Sequence, residues 1–136
     1  GGRWCPPNAF EVLYMSLEKA GAIAEIDAWL REITPRPDRP IEVHTIELKA
    51  RSTVTIGDLD ELAALDVERF GERDYGRTQQ IGDAAHFLGR DALIVPSARW
   101  SCINLVLFPG NHGDQTLRPV RSKIVDWERW RAERAP

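Results

Sequence analysis

The chain has 136 residues, a mass of 15.4 kDa and 43% hydrophobic side chains, enough for one domain with a buried core. Its formal net charge of −3 gives no overall attraction to a polyanion, which argues against general nucleic-acid coating. Two cysteines, Cys5 and Cys102, make neither a disulfide framework nor a zinc site, and no apolar run reaches the ~18–20 residues that span a bilayer. With no basic-then-apolar leader either, the expectation is a soluble, cytoplasmic protein without a membrane partner. The charge is unevenly spread, with six basic and three acidic side chains in 118–136 against twelve and eighteen before them.

Residues 1–10 (GGRWCPPNAF) read as a loop, because Pro6-Pro7 cannot enter a helix interior. Glu11–Met15 is short and apolar, as a strand would be. Ser16 is placed to cap a helix over Leu17–Arg31. At 100° per residue, Leu17, Ala20, Gly21, Ala24 and Ala28 share one face while Ile23, Ile26 and Leu30 lie opposite, so this helix is expected between two layers. TPRPDRP (34–40) ends it as a stiff loop. A strand over Ile41–Leu48 and a short helix over Asp58–Leu65 follow. A longer helix runs from about Tyr75 to Leu88 and stops at Gly89, with Ile81, Ala84, Ala85 and Leu88 as its apolar face. Ala92–Val95 and Asn104–Phe108 read as buried strands, each cut by a proline. The basic C-terminal stretch 118–136 is expected to finish as a helix.

Arg3, between a glycine pair and an aromatic residue, offers a planar fork suited to phosphate or carboxylate, although the spacing equally fits a surface loop arginine. Tyr14 closes the first strand, where it could stack on a flat ring or serve as a core residue with its hydroxyl at the rim. Glu18, Glu25 and Glu32 recur every seven residues, a pattern that ordinarily marks a solvated stripe; Glu25 differs in lying among Ala22, Ala24 and Ala28. Ser97 follows an apolar strand, a place where ligand sites gather in mixed folds, but no G-x-S-x-G surrounds it. Asn104 opens the next strand and fits an ordinary turn as well. His44, His86 and His112 are scattered without metal-ligand spacing, and no Walker A loop or G-x-G-x-x-G is present. These patterns alone support a mixed helix–strand domain with anion-binding loops.

Two longer stretches add a resemblance. GGRWCPPNAFEVLYMSLEKAGAIAE (1–25) resembles the opening of RES domains, with its GGRW, PP, L-Y-x-S and A-x-A-E elements. YGRTQQIGDAAHFLGRDALIVPSARWSCINLVLF (75–108) resembles their later half, with T-Q-x-x-G-D, P-S-A-R and N-L-V-L-F. The two matches come in the right order and cover most of 1–108; Cys5 and Asn8 depart from the family's usual Asn and Gly. The resemblance implies an α+β fold, an ADP-ribosyltransferase-like split β-sheet core flanked by helices, in a single domain over 1–136 that lacks the family's N-terminal segment and carries 118–136 as a basic extension. It implies a toxin of a toxin–antitoxin pair that degrades NAD by phosphorolysis or hydrolysis of the nicotinamide–ribose bond. ADP-ribose transfer to a protein, or a non-catalytic partner-binding module, are its alternatives. Arg3, Glu25 and Ser97 are then the catalytic set, and Arg3, Tyr14, Ser97 and Asn104 bind substrate, with NAD as substrate and no metal. The implied partner is a helical Xre-type antitoxin that makes any DNA contact, and a homo-oligomer inside that complex is allowed.

Overall fold

The computed structural model describes residues 2–35 and 40–134. Four strands form one sheet: β1 (Leu13–Ser16), β5 (Ile103–Leu107), β4 (Ala92–Pro96) and β3 (Thr53–Thr55), in that spatial order. β1–β5 and β5–β4 are antiparallel and β4–β3 is parallel. A separate ribbon pairs β2 (Ile41–Leu48) with β6 (Leu117–Val125). The helices are α1 (Lys19–Leu30), α2 (Leu59–Ala64), α3 (Gly76–Phe87), α4 (Pro109–His112) and α5 (Trp127–Arg134). This is the α+β arrangement with a split sheet that the resemblance implies.

Side-chain alternation gives the main sheet two unlike faces. Leu93, Val95 and Val106 turn toward Trp4, Ile56, Leu62, Val67, Ala85 and Phe108 to make the larger core. Ala92, Leu105 and Leu107 turn the other way, onto Met15, Leu48, Ala50 and Ile94. In register, Tyr14 lies opposite Val106, while Asn104 lies opposite both Ser16 and Val95. Opposed residues share a face, so Tyr14 and Asn104 stand on the side of the larger core, where it gives way to a cleft.

Several boundaries differ from expectation for definable reasons. The first strand is Leu13–Ser16, because Ser16 pairs with Asn104. Glu18 is therefore the N-cap of α1 and makes no side-chain cap bond; the Ser16 hydroxyl accepts from the Glu18 N–H at 3.2 Å from within the strand. α1 buries Gly21, Ile23, Ala24, Asp27 and Leu30, while Leu17 and Ile26 are exposed. The short helix forms as read. Asp58 caps it by accepting from the Glu61 N–H at 2.8 Å, which satisfies an orphan donor of the first turn, and the Glu61 carboxylate reaches back to the N–H of Gly57, the residue before the cap, at 2.6 Å.

In α3 the buried residues are Thr78, Gly82 and Ala85; of the expected apolar face, Ala85 and the half-buried Ile81 pack on the core, while Ala84 and Leu88 are exposed. The N-terminal loop lies against this small face so closely that a Cβ on Gly82 would collide with the Trp4 carbonyl. The helix stops at Gly89, whose φ of +76° is the left-handed conformation expected of a terminating glycine.

Two strands and a turn of helix carried no signal. β3 has three residues, and α4 a single turn behind Pro109. β6 fills the first half of 118–136, a stretch expected only to end in a helix. Eight of its nine residues are exposed, so no alternation marks it. The second half does form a helix, α5, anchored by Trp127 at 2% exposure. Part of the TPRPDRP loop, 36–39, lies outside the described residues. No helix among the described residues is long and apolar enough to cross a membrane.

Candidate functional site

The site is assembled by four segments: loop 2–5, β1, the middle of α1, and the stretch from the end of β4 into β5. Glu25 is the one member of its heptad stripe that turns inward. Glu18 is exposed and Glu32 pairs with Arg73, but the Glu25 Oε1 accepts from the Ser97 hydroxyl at 2.7 Å and from the Asn104 Nδ2 at 3.0 Å. Both donors reach the same oxygen. Oε2 makes no hydrogen bond among the described residues, so the carboxylate is fixed on one side and open on the other.

Ser97 is itself fixed. After Pro96 the chain turns, and the Ser97 Oγ accepts from the backbone N–H groups of Arg99 at 3.1 Å and Trp100 at 3.2 Å. With its proton directed at Glu25, the hydroxyl supports the carboxylate from behind and is not on the wall of the cleft that Glu25 lines. Asn104 does line that cleft, and its Oδ1 is buried without a hydrogen-bond partner among the described residues. A buried acceptor left unpaired costs about 1–3 kcal/mol, a cost Asn104 bears while its Nδ2 orients Glu25.

Arg3 lines the same cleft. Its Nη1 donates to the Phe70 carbonyl and, at 3.2 Å, to the Glu72 carbonyl. The guanidinium carbon lies 4.9 Å from the Phe70 ring centre and 4.7 Å from that of Tyr75, within cation–π range. Burial lowers the Arg3 pKa from the ordinary arginine value; Arg99 and Arg73 add like-charge repulsion, and Tyr75 and Glu25 act against it. The loop is held by α3: the Thr78 hydroxyl donates to the Arg3 carbonyl at 2.5 Å, and the Gln79 amide to the Gly2 carbonyl at 2.9 Å. The Tyr14 hydroxyl accepts from the Trp4 N–H at 3.2 Å. Burial raises the tyrosine pKa, outweighing that N–H, so the phenol is neutral at physiological pH. Its hydroxyl fits beneath the loop because residue 2 is glycine; a Cβ there would stand 2.7 Å from it.

The resulting cleft has a volume of about 420 Å³ and is lined by Arg3, Tyr14, Glu25 and Asn104 together with Phe70 and Tyr75. The structure thus brings all five sequence-derived candidates together, four on the wall and Ser97 behind it. Sequence reasoning missed Phe70, which lies in a stretch without a motif. It also missed the anchoring by Thr78 and Gln79, although T-Q-x-x-G-D was visible. A fixed carboxylate and a half-buried cation in one cleft with aromatic walls suit a substrate that joins a flat ring, hydroxyls and anionic groups.

The RES domain family model matches residues 1–131. The chain belongs to the RES domain family. Curated relatives of this RES domain include the NAD(+) phosphorylase MbcT of Mycobacterium tuberculosis and that of Mycobacterium bovis. Each is 26% identical over 104 residues, which cover 72% of this chain and 56% of the relative, so the chain spans about half the length of the curated proteins it matches. The crystal structure of the M. tuberculosis MbcT–MbcA toxin–antitoxin complex superposes on the RES domain with a TM-score of 0.82. That match covers 100% of this chain and 78% of the other at 21% identity, a likeness of fold. The family match extends through β6 and into α5, so this part of the chain belongs to the family's pattern as well.

Proposed function

We propose that this RES domain cleaves the nicotinamide–ribose bond of NAD with phosphate as acceptor, as the toxin of a toxin–antitoxin pair. The observation that carries the reading is the Glu25 carboxylate, tied through Oε1 by Ser97 and Asn104 with Oε2 unbonded among the described residues, in a cleft that Arg3 also lines. The names of the relatives, an NAD(+) phosphorylase and a toxin–antitoxin complex, agree with it.

The chemistry follows from the residue types. As the C–N bond breaks, its electron pair returns to the pyridinium nitrogen, nicotinamide departs as a neutral ring, and positive charge develops on the ribose. Glu25 stabilises that charge through a carboxylate already oriented by its two donors, so little reorganisation accompanies the step. The neutral leaving group has no need of a general acid, so one carboxylate suffices. Arg3 binds the pyrophosphate through the N–H groups its carbonyl contacts leave unused, with Tyr14 and Tyr75 as stacking walls. Asn104 lines the substrate cleft and, with Ser97, positions Glu25. The partner in this reading is an Xre-type antitoxin that covers the cleft and carries any DNA contact, and the reaction draws on the cytoplasmic NAD pool.

The test is nicotinamide release from NAD by the full-length protein, with and without phosphate. Release that phosphate accelerates, and that falls by roughly 10²–10³-fold in Glu25→Gln, is expected. A Glu25→Gln variant as active as the parent would remove the mechanism.

A further inference from the structure

A second cavity, of about 620 Å³, opens on the far side of α1, between it, α5 and residues 71–73 and 99–100. It shares Ala28, Arg73 and Arg99 with the cleft that holds Glu25, so the two spaces adjoin. Five arginines line it, at positions 31, 73, 99, 131 and 134, against two carboxylates, in a chain whose net charge is negative. Asp27 pairs with Arg31 at 2.7 Å and stands 4.0 Å from Arg131, and Glu32 pairs with Arg73. Arg99 has no carboxylate partner among the described residues; its Nη1 donates to the Gly71 carbonyl at 3.2 Å. Arg134 has no carboxylate partner among the described residues, donates to the Trp130 carbonyl at 3.3 Å and lies over the Trp130 ring at 4.5 Å.

Gathered cations of this kind call for an anion. A second observation narrows the choice. Asp27 is buried to 5% exposure, and among the described residues its Oδ1 accepts no hydrogen bond although it borders an arginine-rich space. An oxyanion carrying its own proton satisfies both demands, giving its oxygens to the guanidiniums and its O–H to Asp27. Hydrogen phosphate carries that proton at neutral pH and sulfate does not.

We propose that this cavity is the acceptor site for hydrogen phosphate, with Arg99 and Arg73 at its junction with the Glu25 cleft and Asp27 selecting a protonated oxyanion. The assignment rests on the phosphorolysis reading above. In the step, an unprotonated oxygen of HPO₄²⁻ forms the C–O bond to the ribose carbon as the C–N bond breaks. The departing electron pair neutralises the pyridinium, and the product is ADP-ribose 1″-phosphate. The arginines place the nucleophile on the side where Ser97, bonded to both Glu25 and the Arg99 N–H, links the two compartments.

The experiment has two arms on the full-length protein. The first titrates inorganic phosphate, and separately sulfate, without NAD, and reads binding by calorimetry or ³¹P line width. The parent is expected to bind phosphate and prefer it to sulfate. Arg99→Gln should weaken phosphate roughly tenfold or more, and Asp27→Asn should erase the preference. Because Asp27 is buried and its variant could fail to fold, the exposed Arg134→Gln is measured beside it and should weaken phosphate several-fold. No phosphate binding by the parent, or unchanged binding in Arg99→Gln, overturns the site. The second arm measures KM for phosphate and for NAD. A phosphate KM raised roughly tenfold in Arg99→Gln, with the NAD KM moved far less, supports the assignment. A raised NAD KM with an unchanged phosphate KM shows instead that the cavity holds the phosphates of NAD. If the parent binds phosphate through Arg99 yet releases no nicotinamide, the phosphorolysis reading fails and the acceptor role with it, while an oxyanion site survives.

Discussion

Replacing Ser97 with alanine separates a positioning hydroxyl from a nucleophile. The side chain donates to Glu25 Oε1 at 2.7 Å and accepts from two backbone N–H groups at 3.1 and 3.2 Å. A hydrogen bond to a charged group contributes about 1.5–3 kcal/mol, which corresponds to roughly tenfold to 150-fold in rate if it is realised in the transition state. Ser97→Ala should therefore lower kcat within that range and leave the KM for NAD nearly unchanged, since the hydroxyl lies behind the cleft. Asn104 holds the same oxygen at 3.0 Å, so the two losses should couple: after Ser97→Ala, the cost of Asn104→Ala should differ measurably from its cost in the parent. Steady-state kinetics of nicotinamide release on the four proteins of this cycle provide the readout. A Ser97→Ala enzyme with parental kcat, or a covalent adduct trapped on Ser97 in the parent, would refute the positioning argument.

Other expectations concern the scaffold. Gly82→Ala forces a Cβ into the Trp4 carbonyl and should cost about 1–3 kcal/mol, visible as a lowered Tm together with weaker NAD binding because the Arg3 loop is displaced. Trp127→Ala removes a side chain at 2% exposure and should cost about 3–5 kcal/mol in denaturant unfolding. Asp91 predicts an acid limb: burial disfavours its charge, but the Arg51 and Ser52 N–H groups and the Gln115 amide outweigh that and hold its pKa below the usual value. Its contribution is thus complete above the unfolded-state pKa of about 3.9 and is lost as pH falls below it toward the depressed folded value. Asp91→Asn should be less stable near neutrality and should lose less stability than the parent on acidification, as followed by urea melts across that range.

What could be read from the sequence was whatever leaves a local trace. The short helix over Asp58–Leu65, the Gly89 stop and the Ile41–Leu48 strand all follow from side chains within a few residues of one another. Glu25 shows the limit. Heptad spacing put it on a stripe with Glu18 and Glu32, and only the residues packed across from it, 72 and 79 positions later in Ser97 and Asn104, make it different. Family motifs bridged that gap because they record which distant residues belong together. β6 escaped for another reason: with almost every side chain exposed and Pro119 within it, it forms by pairing with β2 and not by burying a face. Phe70 was missed because its contribution to Arg3 comes through a carbonyl and a ring face, neither of which any pattern encodes.

The bonds that build the cleft span most of the chain: Arg3 to Phe70, Thr78 to Arg3 and Ser97 to Glu25 are separated by 67, 75 and 72 residues. During synthesis the cation leaves the ribosome ahead of its aromatic bed, its anchoring helix and the support for Glu25. A growing chain therefore carries no formed cleft until residues 97–104 have emerged and β5 has paired with β1 and β4. On the NAD-consuming reading proposed above, competence arises only when residues 97–104 join the segments made before them, and a partner already present can meet the chain as the site closes.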